Sequence, residues 1–119
     1  MGKRQLYFYK NYFEEFFRVQ SKRVRYKVLW TLRIVSELEN VPEKYLKRLR
    51  GTSGIYEVRI RVGTNIYRVF CFFDRDDIIV VGHGFQKKDQ KVPRSEILKA
   101  EEVKRKYYEE YKEGPNQSK

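Results

Sequence analysis

Residues 56–73 read "YEVRIRVGTNIYRVFCFF", and the alternation in this stretch decides the fold. Side chains point to opposite faces along a β-strand, so Tyr56, Val58, Ile60 and Val62 share one face while Glu57, Arg59 and Arg61 share the other. After a turn at Gly63, Thr64 and Asn65, a second run sets Tyr67, Val69, Cys71 and Phe73 against Arg68, Phe70 and Phe72. An even turn places Arg68 beside the charges of the first strand. An odd one would push it into the apolar row, where a lone charge is costly. The stretch therefore predicts a hairpin with one core face and one charged face.

A third strand follows from Ile78 to about Phe85, with Ile78 and Val80 opposing Ile79, Val81, His83 and Phe85. Taking "DRDD" at 74–77 as a four-residue loop pairs Phe73 with Ile78 and sets Arg68 beside His83. One face of the meander is then a core face covered by helices. The other is open and mixed: Phe70, Phe72, Ile79 and Val81 make one end apolar, while Glu57, Arg59, Arg61, Arg68, His83 and, past the strand, Lys87 and Lys88 make the rest cationic.

Around this meander the other elements fall into place. Residues 5–9, "QLYFY", are strand-like. Asn11 is a candidate cap for a helix over "YFEEFFRV", and Val24, Val28, Leu32, Val35 and Leu38 repeat at the helical period. Basic residues from Lys22 to Lys27 fall on the other face of that second helix, where a charge run is ordinarily a solvated surface. Asn40 and Pro42 close it. "PEKYLKRL" reads as a short helical turn leading to the loop "GTSG". After the polar loop "QKKDQKVP", Ile97, Ala100, Val103 or Lys104, Tyr107 and Tyr111 share a face of a last helix that Gly114 and Pro115 stop, leaving 114–119 as a flexible tail. The expectation is one α+β domain over 1–119, an N-terminal strand plus a three-strand meander, with two N-terminal helices on one face and a C-terminal helix.

Composition narrows the chemistry. With 119 residues there is room for one modest core, so an active site must lie on its surface. Lys and Arg number 27 against 16 Asp and Glu, a formal net charge of +11, which favours polyanionic partners. Ten Tyr and eight Phe add stacking surfaces suited to unpaired bases. Cys71 is the single cysteine, which rules out an internal disulfide and a cysteine zinc cluster and suits a reducing cytoplasm; in its apolar strand it reads as a small core residue. No run has the length of a signal peptide or a membrane span, so a soluble cytoplasmic protein is expected.

Gathering three arginines, two lysines and a histidine on one sheet face costs like-charge repulsion. A phosphodiester site gains from it, because arginine forks match phosphate oxygens and stabilise the extra charge of a phosphorane. The alternative is ordinary solvated strand charge, with Glu57 neutralising a neighbour. His83 is likewise either a hydrogen-bonded structural residue or an acid–base group. One histidine without an acidic cluster does not supply the ligands of a two-metal nuclease, so neither metal nor cofactor is expected.

"GTSGIYEVRIRVGTNIYRVFCFF", followed by "DIIVVGHGFQKKDQKVPRSEILKAEEVKRKYYEE", resembles the RelE/ParE superfamily of type II toxins, and most closely its HigB-like, phage Gp49-like branch. The resemblance is carried by Leu46 to Gly51, Tyr56 to Arg59, Tyr67 to Phe70, His83 to Lys88 and Pro93 to Ala100, five weak motifs in order across nearly the whole chain. It implies a small toxin that enters the ribosomal A site and cuts mRNA, held inactive by a HigA-like antitoxin, with DNA contacted only through the antitoxin complex. It also implies that Arg59 and Arg61, Arg68, and Lys87 with Lys88 carry binding and catalysis. Arg68, Arg61, Lys87, His83 and Glu57 are the catalytic candidates, and Arg59, Lys88 and Phe85 the RNA contacts. RelE-like members place a tyrosine near the start of the last helix, where this chain has "RSEIL", so the general base stays open between Glu57 and His83. A ParE-like gyrase inhibitor and a non-enzymatic RNA-binding domain are the competing functions on this fold. For the antitoxin, the N-terminal aromatics Tyr7, Tyr9, Tyr12 and Phe13 are either docking anchors or simple packing.

Overall fold

The alternating stretch does form a hairpin. In a computed structural model that describes residues 4–111, β3 (Tyr56–Val62) and β4 (Asn65–Asp74) pair antiparallel about a two-residue turn in which Val62 faces Asn65. Gly63 takes φ +63° there, a left-handed conformation that glycine adopts without strain. β5 (Ile78–Lys87) completes the meander, and β1 (Gln5–Phe8) lies beside it in parallel, Leu6 facing Ile79. A further strand, β2 (Leu46–Arg48), pairs antiparallel with the first half of β3, giving the five-stranded order β1-β5-β4-β3-β2. The expected helical turn at "PEKYLKRL" is thus confined to Pro42–Tyr45, where the Tyr45 amide donates to the Pro42 carbonyl at 2.9 Å. Beyond it the chain gains more from β3's open edge, where Lys47 stands opposite Glu57 as an opposite-charge pair.

α1 (Tyr12–Phe17) and α2 (Lys22–Glu37) cover one face of the sheet. Of the predicted stripe, Val24, Val28, Leu32 and Val35 are buried there against Val58, Ile60, Val69, Cys71, Ile79 and Val81, whereas Leu38 is exposed because the helix ends at Glu37 and Leu38 turns extended. Ser21 caps α2, its Oγ accepting from the Val24 amide at 3.2 Å. At the other end, Arg4 Nη1 donates to the carbonyls of Val35 and Leu38, satisfying acceptors that the helix leaves unpaired. Tyr9 and Phe13 are buried and Tyr7 and Tyr12 partly so, which assigns these aromatics to packing.

α3 (Arg94–Glu110) closes part of the second face, correcting the expectation that this face is open across its width. Ala100, Val103 and Tyr107 pack on Phe70, Phe72, Ile78 and Val80, and the Tyr107 hydroxyl donates to the Asp74 carboxylate. The meander register also differs from the four-residue loop. Asp74 faces Ile78 and Phe73 faces Ile79, leaving Arg75–Asp77 as the turn. Between Val69↔Gly84 and Cys71↔Val81, β5 uses one residue more than β4, a β-bulge at Gly82–His83 opposite Phe70. The shorter turn places Ile78 and Val80 on the α3 face and Ile79 and Val81 on the α2 face, and the extra residue of the bulge then reverses parity and returns His83 to the α3 side.

Glycine is needed at 84, just past that bulge. A Cβ at Gly84 would sit 2.6 Å from Cδ2 of Phe16, so the ring of α1 lies directly on the strand backbone. No described helix is long and apolar enough to cross a membrane. The expected helix stop at Gly114 and Pro115 and the tail at 114–119 lie outside the described residues.

Candidate functional site: a basic groove at the sheet edge

β2 shields only Tyr56, Glu57 and Val58 of β3, so the second half of β3 remains an edge. Between that edge, α2 and the Pro42–Tyr45 turn lies an open groove of about 460 Å³. Five cations line it: Lys27 of α2, Lys44 of the turn, Arg59 and Arg61 of β3, and Arg68 of β4. Tyr45, Ile60 and Ile66 complete the wall.

The register explains how the arginines meet. Arg59 faces Arg68 and Arg61 faces Ile66, and directly paired residues share a face of the sheet. Two arginines side by side repel, and Glu57 beneath them offsets this. Its Oε1 lies 3.2 Å from Arg68 Nε and its Oε2 lies 3.4 Å from Arg59 Nε. Glu57 and Arg68 are both buried, at 4% and 7% exposure. Burial pulls the Arg68 guanidinium below its ordinary value, the Glu57 charge opposes that, and the neighbouring Arg59 and Arg61 add to it. An anion in the groove would favour the charged guanidinium for the same reasons that Glu57 does.

The remaining candidates lie around this groove rather than in its wall. His83 is 3% exposed beneath α3, with Nε2 2.8 Å from Glu96 Oε1 and its ring against Phe70 and Phe85. Burial depresses its pKa more than Glu96 raises it, with Lys99 adding to the depression, and Nδ1 is buried without a hydrogen-bond partner. Arg68 stands opposite Phe85, not His83 as the four-residue loop implied, because the shorter turn and the bulge each shift the register by one residue. Phe85 is half-buried, packed on Phe70. Lys87 faces Ile66, with its ammonium donating to the carbonyls of Asp89 and Gln90, while Lys88 is exposed on the same loop. Glu57 lies under the groove as an anchor for arginines, not on its surface.

Sequence reading does not reach Lys27, Lys44 and Tyr45 as wall residues, because the run from Lys22 to Lys27 reads as solvated surface and "PEKYLKRL" as a helical turn. Tyr45 could have been flagged as an aromatic between two basic residues in "KYLK", although that pattern is common in loops. Cys71 is buried, and desolvation pushes its thiol up to about 12, so it has no nucleophilic role at neutral pH. Among the described residues, no cluster of three His, Cys, Asp or Glu side chains is placed to hold a metal ion.

Comparison with curated proteins gives no match. The family described as phage derived protein Gp49-like (DUF891) matches residues 15–105, which run from α1 through the groove strands and most of α3. That span covers more than half of the chain and includes the Glu57, Arg59, Arg61 and Arg68 constellation. The chain belongs to the phage-derived Gp49-like family, a branch of the RelE/HigB-like toxins.

Proposed function

We propose that this protein is the toxin of a type II toxin–antitoxin pair and acts as a ribosome-dependent endoribonuclease on mRNA. The observation that carries the reading is the convergence of Arg59, Arg61 and Arg68 on one edge groove over a buried carboxylate. In such a reaction the 2′-oxygen attacks the adjacent phosphorus and the bond to the 5′-oxygen breaks. The 2′-hydroxyl proton passes to a base, and the leaving 5′-oxygen takes one up. Charge accumulates on the non-bridging oxygens as the phosphorane forms, and guanidinium groups fixed in advance stabilise it without reorganising. Glu57 contributes by holding two of those groups in place. A small open groove orients RNA poorly by itself, and the ribosomal A site would supply the in-line geometry. A cognate antitoxin would act by keeping the groove off the ribosome.

A second reading is favoured by one specific observation: both acid–base candidates are engaged, Glu57 with arginines and His83 with Glu96. The same groove would then bind RNA and block translation without cutting it. Induction of the protein in a bacterial host, with mapping of mRNA ends and pulse-labelling of protein synthesis, separates these readings. Cleavage within translated frames, lost in Arg61→Ala, is the expected result. Arrested synthesis with intact mRNA would favour the binding reading, supercoiling defects would favour gyrase inhibition, and normal growth at confirmed soluble expression would overturn the toxin assignment.

A further inference from the structure

The groove has one aromatic wall among its cations, and that wall is fixed in place from three directions. Tyr45 donates its amide to Pro42 at 2.9 Å, and its carbonyl accepts from the Arg59 amide at 2.8 Å, so its backbone is tied to the strand that carries the arginines. Its ring stands edge-on to Trp30 at 5.8 Å and 75°, and Lys27 caps the Trp30 ring at 4.6 Å. Over the Tyr45 ring lies the Lys44 ammonium, 5.1 Å from the centroid. A flexible lysine resting on an aromatic face holds the place that a flat ligand would take, and once displaced it becomes a further phosphate contact.

We infer that Tyr45 is a stacking platform for one unpaired nucleobase of an RNA strand whose phosphate lies on Arg59, Arg61 and Arg68. This rests on the RNA-directed reading of the groove and adds the residue that would select where along the strand the arginines engage. The groove volume, about 460 Å³, is within the range of pockets that enclose a small ligand. Stacking tolerates any base but strengthens with ring size, so this platform would favour purines over pyrimidines at its position. Packing alone would explain the Trp30 contact, since Tyr45 also borders the α2 core cluster. It would not explain why Tyr45 is the one aromatic lining a groove that carries five cations.

The test uses the full chain and a short single-stranded RNA carrying 2-aminopurine, whose fluorescence is quenched on stacking, beside an oligonucleotide of equal charge with an abasic position. The wild type should quench the probe and bind the base-bearing strand more tightly than the abasic one. Tyr45→Phe should retain both properties. Tyr45→Leu, which preserves apolar bulk against Trp30, should lose the quenching and bind roughly 5- to 100-fold more weakly. Arg61→Ala should weaken binding to both strands alike. If Tyr45→Leu binds and quenches as the wild type does while Arg61→Ala is weakened, the platform is refuted and the groove reading stands. If Arg61→Ala also binds as the wild type does, the groove reading falls with it. A Tyr45→Leu thermal midpoint matching the wild type's excludes unfolding as the cause of lost binding.

Discussion

Replacing Arg68 with alanine should damage the fold as well as the site, and the structure sets the size of the effect. Arg68 and Glu57 are both buried, 3.2 Å apart, and removing the guanidinium leaves the Glu57 carboxylate out of water. Breaking a buried pair from one side costs about 3–5 kcal/mol. Arg59 remains 3.4 Å away, but its side chain is 31% exposed and partly screened, so the lower end, about 3 kcal/mol, is expected. For a chain of this size that is a large share of a total of roughly 6–18 kcal/mol and lowers the midpoint by about 12 °C. The double variant Glu57→Leu with Arg68→Leu removes both charges and should be more stable than Arg68→Ala alone, because no unpaired charge is left buried. Thermal and urea unfolding of the three variants beside Arg61→Ala measure this. A midpoint for Arg68→Ala no lower than that of Arg61→Ala, or a double variant less stable than the single one, would refute the reasoning.

Arg61 is exposed, so Arg61→Ala should leave stability within about 0.5 kcal/mol while impairing toxicity, which makes it the cleaner probe of function; growth curves and unfolding curves measured together check this. Gly84→Ala should cost about 1–3 kcal/mol because its Cβ would meet the Phe16 ring at 2.6 Å, and Phe16→Leu in the same chain should recover part of the loss in urea midpoint. Burial holds the His83 imidazole below its ordinary value, so the unfolded chain takes up that proton first as pH falls. The resulting stability is fully present above about pH 6.5 and is lost as pH falls from there toward the depressed folded value, so His83→Phe should show a shallower decline in unfolding free energy between about pH 7 and 5. An unchanged slope would contradict the burial of a neutral ring.

Much of this architecture was legible from periodicity. The α2 stripe and the β3–β4 parity followed directly, because one wholly apolar row and one row of charges leave a single register that buries no lone charge. What stayed hidden was β5. A two-residue period reveals neither the length of a turn nor an inserted residue, so a four-residue loop puts Ile79 and Val81 on the wrong face and the bulge at 82–83 goes unseen. The signal was "GHG" at 82–84, since glycines inside an apolar strand often mark a bulge or a close ring contact, and here they mark both. β2 was hidden for another reason. Three residues with two cations have no strand pattern of their own and are extended only because β3 offers an edge. The groove was half legible: its arginines came from parity, but Lys27, Lys44 and Tyr45 reach it through helix and turn contacts that no local pattern records.

The parallel pairing of β1 with β5 bears on the order in which the chain can assemble during synthesis. Residues 5–8 wait for partners at 78–81, and the face that buries the α2 stripe is built by strands made after the helix. About fifty residues lie between Val35 and the end of β5. At bacterial elongation rates of about 5–20 residues per second, the nascent chain would hold Val24, Val28, Leu32 and Val35 without their sheet for roughly 3–10 s. The meander, whose contacts are short in sequence, can close first, and β1 with α1 then locks on last, Phe16 settling over Gly84. A nascent chain stalled before β5 therefore carries the groove arginines on an unfinished sheet, with its apolar helix open to chaperones and to neighbouring chains on the same message.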